Sequence, residues 1–294
     1  MKRFAGFCRK IKYLGLLGLP GLFLESKLFD FLWLFWLLGL IEIFYNIPVF
    51  LQSTQQLWGM MTVPLRYGPH MPNASNYRCK VKYSLPFKDS WTVVNGGVDK
   101  GSSHSWAVPA QRYAYDFLIL DTAGKSFVGD SMKPADYHCY GKEILAPADG
   151  EVIEAASGYA DSIILGNGQA DCTARDMRGN YLLIRHAEGE YSLLAHLQPD
   201  SIRVKNGDAV KRGQCLALCG NSGNSSEPHL HFHLQDGISF YSSAGLPVEF
   251  QEVSAMPAPN YSAYDPRPIP STDGLPEKYI TRGHTVLNAI LFRH

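Results

Sequence analysis

Between Phe31 and Leu51 the chain reads FLWLFWLLGLIEIFYNIPVFL, 21 residues with Glu42 as the single charge. A stretch this apolar has to be covered, by a protein core or by lipid. At roughly 1.5 Å per residue, a helix of that length crosses a hydrocarbon layer of about 30 Å. The run is therefore expected to form a transmembrane helix. A signal peptide normally has a shorter apolar region ending in small residues, which this run lacks. An earlier apolar piece, Tyr13 to Leu24, has only 12 residues and carries Pro20. That suits an interfacial or re-entrant segment. Lys2, Arg3, Arg9, Lys10, Lys12 and Lys27 precede the long run. The positive-inside rule then holds the N-terminus in the cytoplasm and exports everything after residue 52. If Tyr13 to Leu24 spans as well, the orientation of the large domain reverses.

Beyond the anchor, residues 53–90 are polar and mixed, with Pro64, Pro69 and Pro72, and are read as a stalk. From 91 to 250 the texture is that of a mainly β, compact antiparallel domain, a sandwich or half-barrel. Short apolar runs such as Glu151–Ile153, Tyr181–Ile184, Tyr191–Leu194 and Cys215–Leu218 lie between turn signals such as Asn95-Gly96, Asp149-Gly150 and Asn206-Gly207. Gly158 to Gly179 reads as an insertion loop. Residues 251–294 carry Pro257, Pro259, Pro266, Pro268, Pro270 and Pro276 and are expected to form an extended tail. The formal net charge is +0, so nothing favours a nucleic-acid partner, which normally meets a clustered basic face. Six cysteines without a CxxC pair argue against a zinc ribbon. In an exported domain, Cys139 and Cys172 are the expected disulfide.

The chemistry concentrates in His229-Leu230-His231-Phe232-His233. In a strand, residues at i, i+2 and i+4 share a face, so the histidines project together while Leu230, Phe232 and Leu234 enter the core. Aligned imidazoles suit metal ligation; a polar outer face of an amphipathic strand is the plainer alternative. Asp116 lies in the aromatic-rich run Arg112-Tyr113-Ala114-Tyr115-Asp116-Phe117, where an unpaired carboxylate is costly and needs a cation or donors. Asp121 closes that run as an ordinary strand-end acid. His196 follows an apolar strand, a place where a lone histidine is commonly structural.

Taken in order, Ala146 to Val152, Gly179-Asn180-Tyr181, Ala195-His196-Leu197, Gly220-Asn221-Ser222-Gly223 and Pro228 to Phe232 closely resemble the lysostaphin/LytM-type zinc metallopeptidases, over about residues 90–250. The resemblance implies a zinc enzyme that cuts peptide bonds in bacterial peptidoglycan. It assigns Asp116 and His231 to zinc and His196 and His229 to catalysis; His233 is left as a bystander or an outer support. The family's other ligand is the first histidine of an HxxxD motif, and that position is Arg112, which cannot bind zinc because it stays protonated. A branch of the family with the pattern seen at Gln111 to Asp116 places a histidine upstream. His104 is therefore taken as the third ligand, folded back through the Pro109 turn, with His138 in reserve. If neither ligates, a non-catalytic relative that binds peptidoglycan or a partner protein is the alternative. A lipoyl-type carrier hairpin at Gly207 to Gln214, modified at Lys211, leaves the histidine cluster unexplained.

Overall fold

A computed structural model of the chain describes residues 2–24, 26–272 and 278–289; Pro276 and the last five residues of the expected tail lie outside these. The chain divides into two compact units, Met1–Thr54 and Gln55–His294. In the first unit, the helices are α1 (Lys2–Ile11), α2 (Lys27–Trp33) and α3 (Leu38–Tyr45), with 3-10 turns at Lys12–Leu22 and Leu34–Leu37. A further helix, α4 (Ile47–Tyr67), begins here and runs into the second unit.

The single helix expected over residues 31–51 is not what forms. The run is divided among α2, a 3-10 turn, α3 and the start of α4, with a break at Asn46. Pro48 explains the break: it has no N–H to give the carbonyl four residues back and its ring crowds that carbonyl, so the chain restarts with Pro48 in the first turn of α4. α4 has 21 residues, but its middle reads Gln52-Ser53-Thr54-Gln55-Gln56. Among the described residues no helix is long and apolar enough to cross a membrane. Tyr13 to Leu24 is mostly the first 3-10 turn, with Pro20 inside it. The surface of this unit is nevertheless apolar: Leu17, Phe23, Phe31, Leu37 and Phe44 are all exposed.

The second unit is built of strands β1 (Trp91–Asn95), β2 (Tyr115–Leu118), β3 (Glu143–Leu145), β4 (Gly150–Ala156), β5 (Asn180–Ala187), β6 (Glu190–Leu197), β7 (Ala209–Val210), β8 (Cys215–Leu218), β9 (Leu230–Gln235), β10 (Gly245–Leu246), β11 (Val253–Pro257) and β12 (His284–Asn288), with one short helix, α5 (Tyr261–Tyr264). Ten strands form one sheet in the order β11-β12-β1-β2-β9-β6-β5-β4-β7, with β10 also on β9; β3 and β8 pair separately. Every ladder is antiparallel.

The alternation seen in the sequence decides the two faces. Leu182 and Ile184 of β5, Leu194 of β6 and Leu230, Phe232 and Leu234 of β9 enter the main core with Tyr83, Phe87, Trp91 and Phe117. Tyr181, Leu183, Leu193 and Ala195, one residue out of phase, form a smaller cluster with Phe240 on the other face. Residues flanking the 91–250 stretch take part as well. Tyr83, Leu85 and Phe87 lie in the main core, and β11 and β12 extend the sheet beyond β1. The expected Cys139–Cys172 disulfide is absent: Cys139 is buried, Cys172 is exposed, and all six cysteines are free. The Cys139 thiol points inward, to the carbonyl of Pro228 at 3.0 Å and to the Cys219 thiol, which burial pushes well up.

Candidate active site

Register places one line of residues across four strands. Asn95 lies opposite Asp116, Asp116 opposite His231, and His231 opposite Ala195. Directly opposed residues share a face with Cβ atoms about 4.5–5.5 Å apart, so these side chains meet without any loop having to place them. Asp116 is the hub. Its Oδ1 lies 2.9 Å from His231 Nδ1 and 3.7 Å from His229 Nε2. Its Oδ2 accepts a hydrogen bond of 3.0 Å from Asn95 Nδ2 and stands 3.8 Å from His104 Nδ1. Burial works against the Asp116 charge, but the His231 hydrogen bond and the His231, His229 and His104 rings outweigh it, holding the carboxyl well below the usual range.

His196 reaches the same face by a backbone device. It directly follows Ala195, so ordinary strand alternation would turn it to the opposite face. Instead its φ is 62°, in the left-handed region, and its ring sits 4.7 Å from that of His229 and 5.9 Å from that of His231. Such a backbone costs about 1–3 kcal/mol in a residue with a side chain, and strain of this kind persists where the surroundings impose it. Here the surroundings are the turn after β8. His196 Nδ1 bonds the Ser222 carbonyl at 2.7 Å, and the Ser222 hydroxyl donates to the Leu197 carbonyl while accepting the Asn180 N–H. That turn lies directly on the start of β5. A Cβ on Gly179 would fall 2.4 Å from the Ser222 carbonyl carbon, and one on Gly223 would fall 2.4 Å from Gly179 N.

Both candidate catalytic histidines are oriented in the same way. His229 Nδ1 bonds the Glu227 carbonyl at 2.8 Å, with the Ser225 hydroxyl at 3.1 Å. A ring nitrogen facing a carbonyl carries a hydrogen, so both rings commit Nδ1 there and turn Nε2 inward. Burial, with the neighbouring His229 and His231 rings, lowers the His196 pKa well below the ordinary histidine value and keeps that ring neutral.

His104 arrives on a loop. After β1, Gly96 and Gly97 take φ values of 124° and 149°, and the chain doubles back. Asn95 Oδ1 accepts the His104 backbone N–H at 2.8 Å while Asn95 Nδ2 holds Asp116. One amide thus ties the loop to the hub. Arg112 steadies the loop from its other side: its guanidinium lies 5.3 Å from the centre of the Trp106 ring, and its Nε donates to the Trp106 carbonyl at 3.2 Å. Even so, the His104 side chain is 61% exposed.

The other sequence candidates separate clearly. His138 is not at the cluster; its N–H bonds the Ser126 carbonyl and its ring lies near Asp121. Asp121 closes its own turn through the N–H groups of Ala123 and Lys125. His233 does join, on the far side of His231: His233 Nδ1 is 2.9 Å from His231 Nε2. Burial lowers its pKa to about 3. Asn95, Ser222 and Gln235 carry structure that motif reading passes over, since their partners are remote or backbone groups. A groove of ≈ 680 Å³ opens over the line, bounded by His104, Gln111, Arg178, Glu227, Phe240 and Tyr264 among others. No group of three or more His, Cys, Asp or Glu side chains among the described residues stands in metal-binding geometry. The donor set converging on Asp116, one carboxylate with imidazole nitrogens, is of the kind that takes zinc.

Residues 133–243 match the model of Peptidase family M23, and this segment is an M23 domain. The match contains His196, His229, His231 and His233 and begins after Asp116. The peptidoglycan DD-endopeptidase ShyB of Vibrio cholerae is 48% identical over 56 residues, 19% of this chain and 13% of that protein. An uncharacterized metalloprotease of Haemophilus influenzae is 34% identical over 92 residues, 31% of this chain and 16% of that protein. This chain thus aligns with less than a fifth of the length of either relative. Among solved structures, a zinc containing peptidase from Vibrio cholerae aligns with 57% of this chain and 40% of its own, at 23% identity and a TM-score of 0.35.

Proposed function

We propose that the chain is a zinc endopeptidase that hydrolyses peptide cross-links of bacterial peptidoglycan. The observation that carries this reading is the convergence of Asp116, His231, His229, His196 and His104 at the floor of one open groove. The matched M23 segment and relatives named for peptidoglycan cleavage supply the substrate class.

His104, Asp116 and His231 would hold the metal. A bound zinc ion supplies a Lewis acid for the scissile carbonyl and an acidified water. The protein's own part is proton handling. His196 and His229 each have Nδ1 committed to a carbonyl, so each offers Nε2 to the groove. One such nitrogen can take a proton from the attacking water and return it to the leaving amine. The other, once protonated, can donate to the developing oxyanion. The groove of ≈ 680 Å³ above these nitrogens gives room for a peptide segment.

Location belongs to the same proposal. The exposed apolar side chains of residues 1–54 suit contact with lipid, which would tether an extracytoplasmic peptidase beside newly made wall. The full chain should stay in the membrane fraction through an alkaline wash; release into the supernatant removes the tether from the proposal. A second reading, a metal-free module that binds peptidoglycan or a partner, has one observation in its favour: His104 stands on an exposed loop 3.8 Å from Asp116. Metal analysis and muropeptide cleavage by the purified chain separate the two. His231→Ala should lose both metal and cleavage, whereas His229→Ala should keep metal and lose cleavage. Cleavage surviving in either variant refutes the role given to that residue.

A further inference from the structure

His233 and Gln235 are completely buried, on the same face of β9 as His231, and the mechanism above uses neither. Their hydrogen bonds fix a direction. Gln235 Nε2 donates to the carbonyls of Gly237 at 2.7 Å and Ile238 at 3.3 Å, which uses both of its hydrogens. What the amide turns toward His233 is therefore Oε1, an acceptor, 2.9 Å from His233 Nε2. His233 Nε2 must carry a hydrogen. A fully buried imidazole whose ring nitrogens meet only another imidazole and an amide keeps a single ring hydrogen. His233 Nδ1 is then an acceptor, and the hydrogen in its 2.9 Å contact with His231 comes from His231 Nε2. With that hydrogen on Nε2, the ring turns its other nitrogen, Nδ1, to Asp116 Oδ1 at 2.9 Å. A metal shared with Asp116 would take the place of the hydrogen in that Nδ1–Asp116 contact.

We infer that His233 and Gln235 are positioning residues. Anchored on the Gly237 and Ile238 carbonyls, they lock His231 in the Nε2–H tautomer and aim its Nδ1 lone pair at a metal shared with Asp116. This rests on the zinc reading above. Two roles follow for the relay: it fixes the ring's rotation and, by accepting the distal hydrogen, makes Nδ1 a better donor to the metal. A phenylalanine at 233 would fill the same space and do neither.

The test uses the full chain in detergent, with zinc as the probe. His233→Phe should bind zinc about 10–100-fold more weakly in chelator competition, the usual effect of losing a ligand's outer partner. Gln235→Leu should weaken binding less. His233→Asn places an amide oxygen near where Nδ1 stands and should recover much of the loss. The metal-free His233→Phe chain should also unfold at a somewhat lower temperature, because His231 Nε2 and Gln235 Oε1 lose their partner, so zinc affinity is the deciding readout. A packing role alone would lower that temperature and leave zinc affinity unchanged, which overturns the inference. Imidazole ¹⁵N spectra of the zinc-loaded wild type give a mutation-free measure: His231 must show a protonated Nε2 and a metal-bound Nδ1, and the reverse assignment refutes the relay. A wild-type chain that takes up no zinc defeats the zinc reading itself, and this inference with it. Wild-type uptake with unaltered His233→Phe affinity defeats the inference alone.

Discussion

The two sides of the groove are made in different ways. Asp116 and His231 sit in the sheet interior, placed by ladder register and almost fully buried. His104 stands on a loop whose hold on the hub is the Asn95 amide, backed by Arg112 lying on Trp106. A strand-borne side chain is set by many cooperative contacts and moves only if the sheet does. A loop-borne one is set by a few bonds and can be loosened one bond at a time. The sheet side should therefore fail all at once when disturbed, and the loop side by degrees.

Asp116→Ala should have the largest effect. It removes the hub on which Asn95, His104, His229 and His231 converge, so metal content and peptidoglycan cleavage should both fall to background. His104→Ala should weaken zinc binding by about 100-fold or more, yet leave the unfolding temperature of the metal-free protein unchanged, because the ring is exposed. An unaltered zinc affinity would show that the loop side holds no metal. Asn95→Leu acts on both sides. It frees the His104 N–H and strips Asp116 of a donor, so zinc affinity should fall about 10–100-fold and stability by about 1–3 kcal/mol in chemical denaturation. Arg112→Leu should be the mildest, with cleavage reduced only a few-fold, in keeping with about 0.5–1 kcal/mol for a surface cation–π contact. If Arg112→Leu matched Asn95→Leu in effect, the guanidinium rather than the amide would be the main support of the loop.

The same contrast explains which parts could be read from the sequence. The period of two in His229 to Leu234 shows directly which side chains face the groove and which enter the core. The structure has Leu230, Phe232 and Leu234 in the core and His231 against Asp116. Asn95 reads as half of an Asn-Gly turn, because its partners, His104 and Asp116, are nine and 21 residues away. His196 reads as one strand residue among others, since nothing local announces a left-handed backbone held by the Ser222 carbonyl. Arg112 reads as a missing ligand; in three dimensions it braces the loop that carries His104, through Trp106. The apolar run from Phe31 reads as one span because composition and length dominate that judgement, whereas Pro48 cuts the helix at Asn46.

The position of β12 has a consequence for biosynthesis. β12 pairs with β1, and the residues just before it hold the loop that carries His104. Arg282 and Gly283 donate to the Gly96 and Val93 carbonyls, and Thr281 bonds the Ser102 hydroxyl. The strand bearing Asn95 is thus made early, while the segment that closes its outer edge is made long after the histidine strand β9 has left the ribosome. Until residues 281–288 are in place, β1 is an open edge and the His104 loop lacks its brace. The His104 side of the groove is therefore completed later in synthesis than the histidine strand it faces.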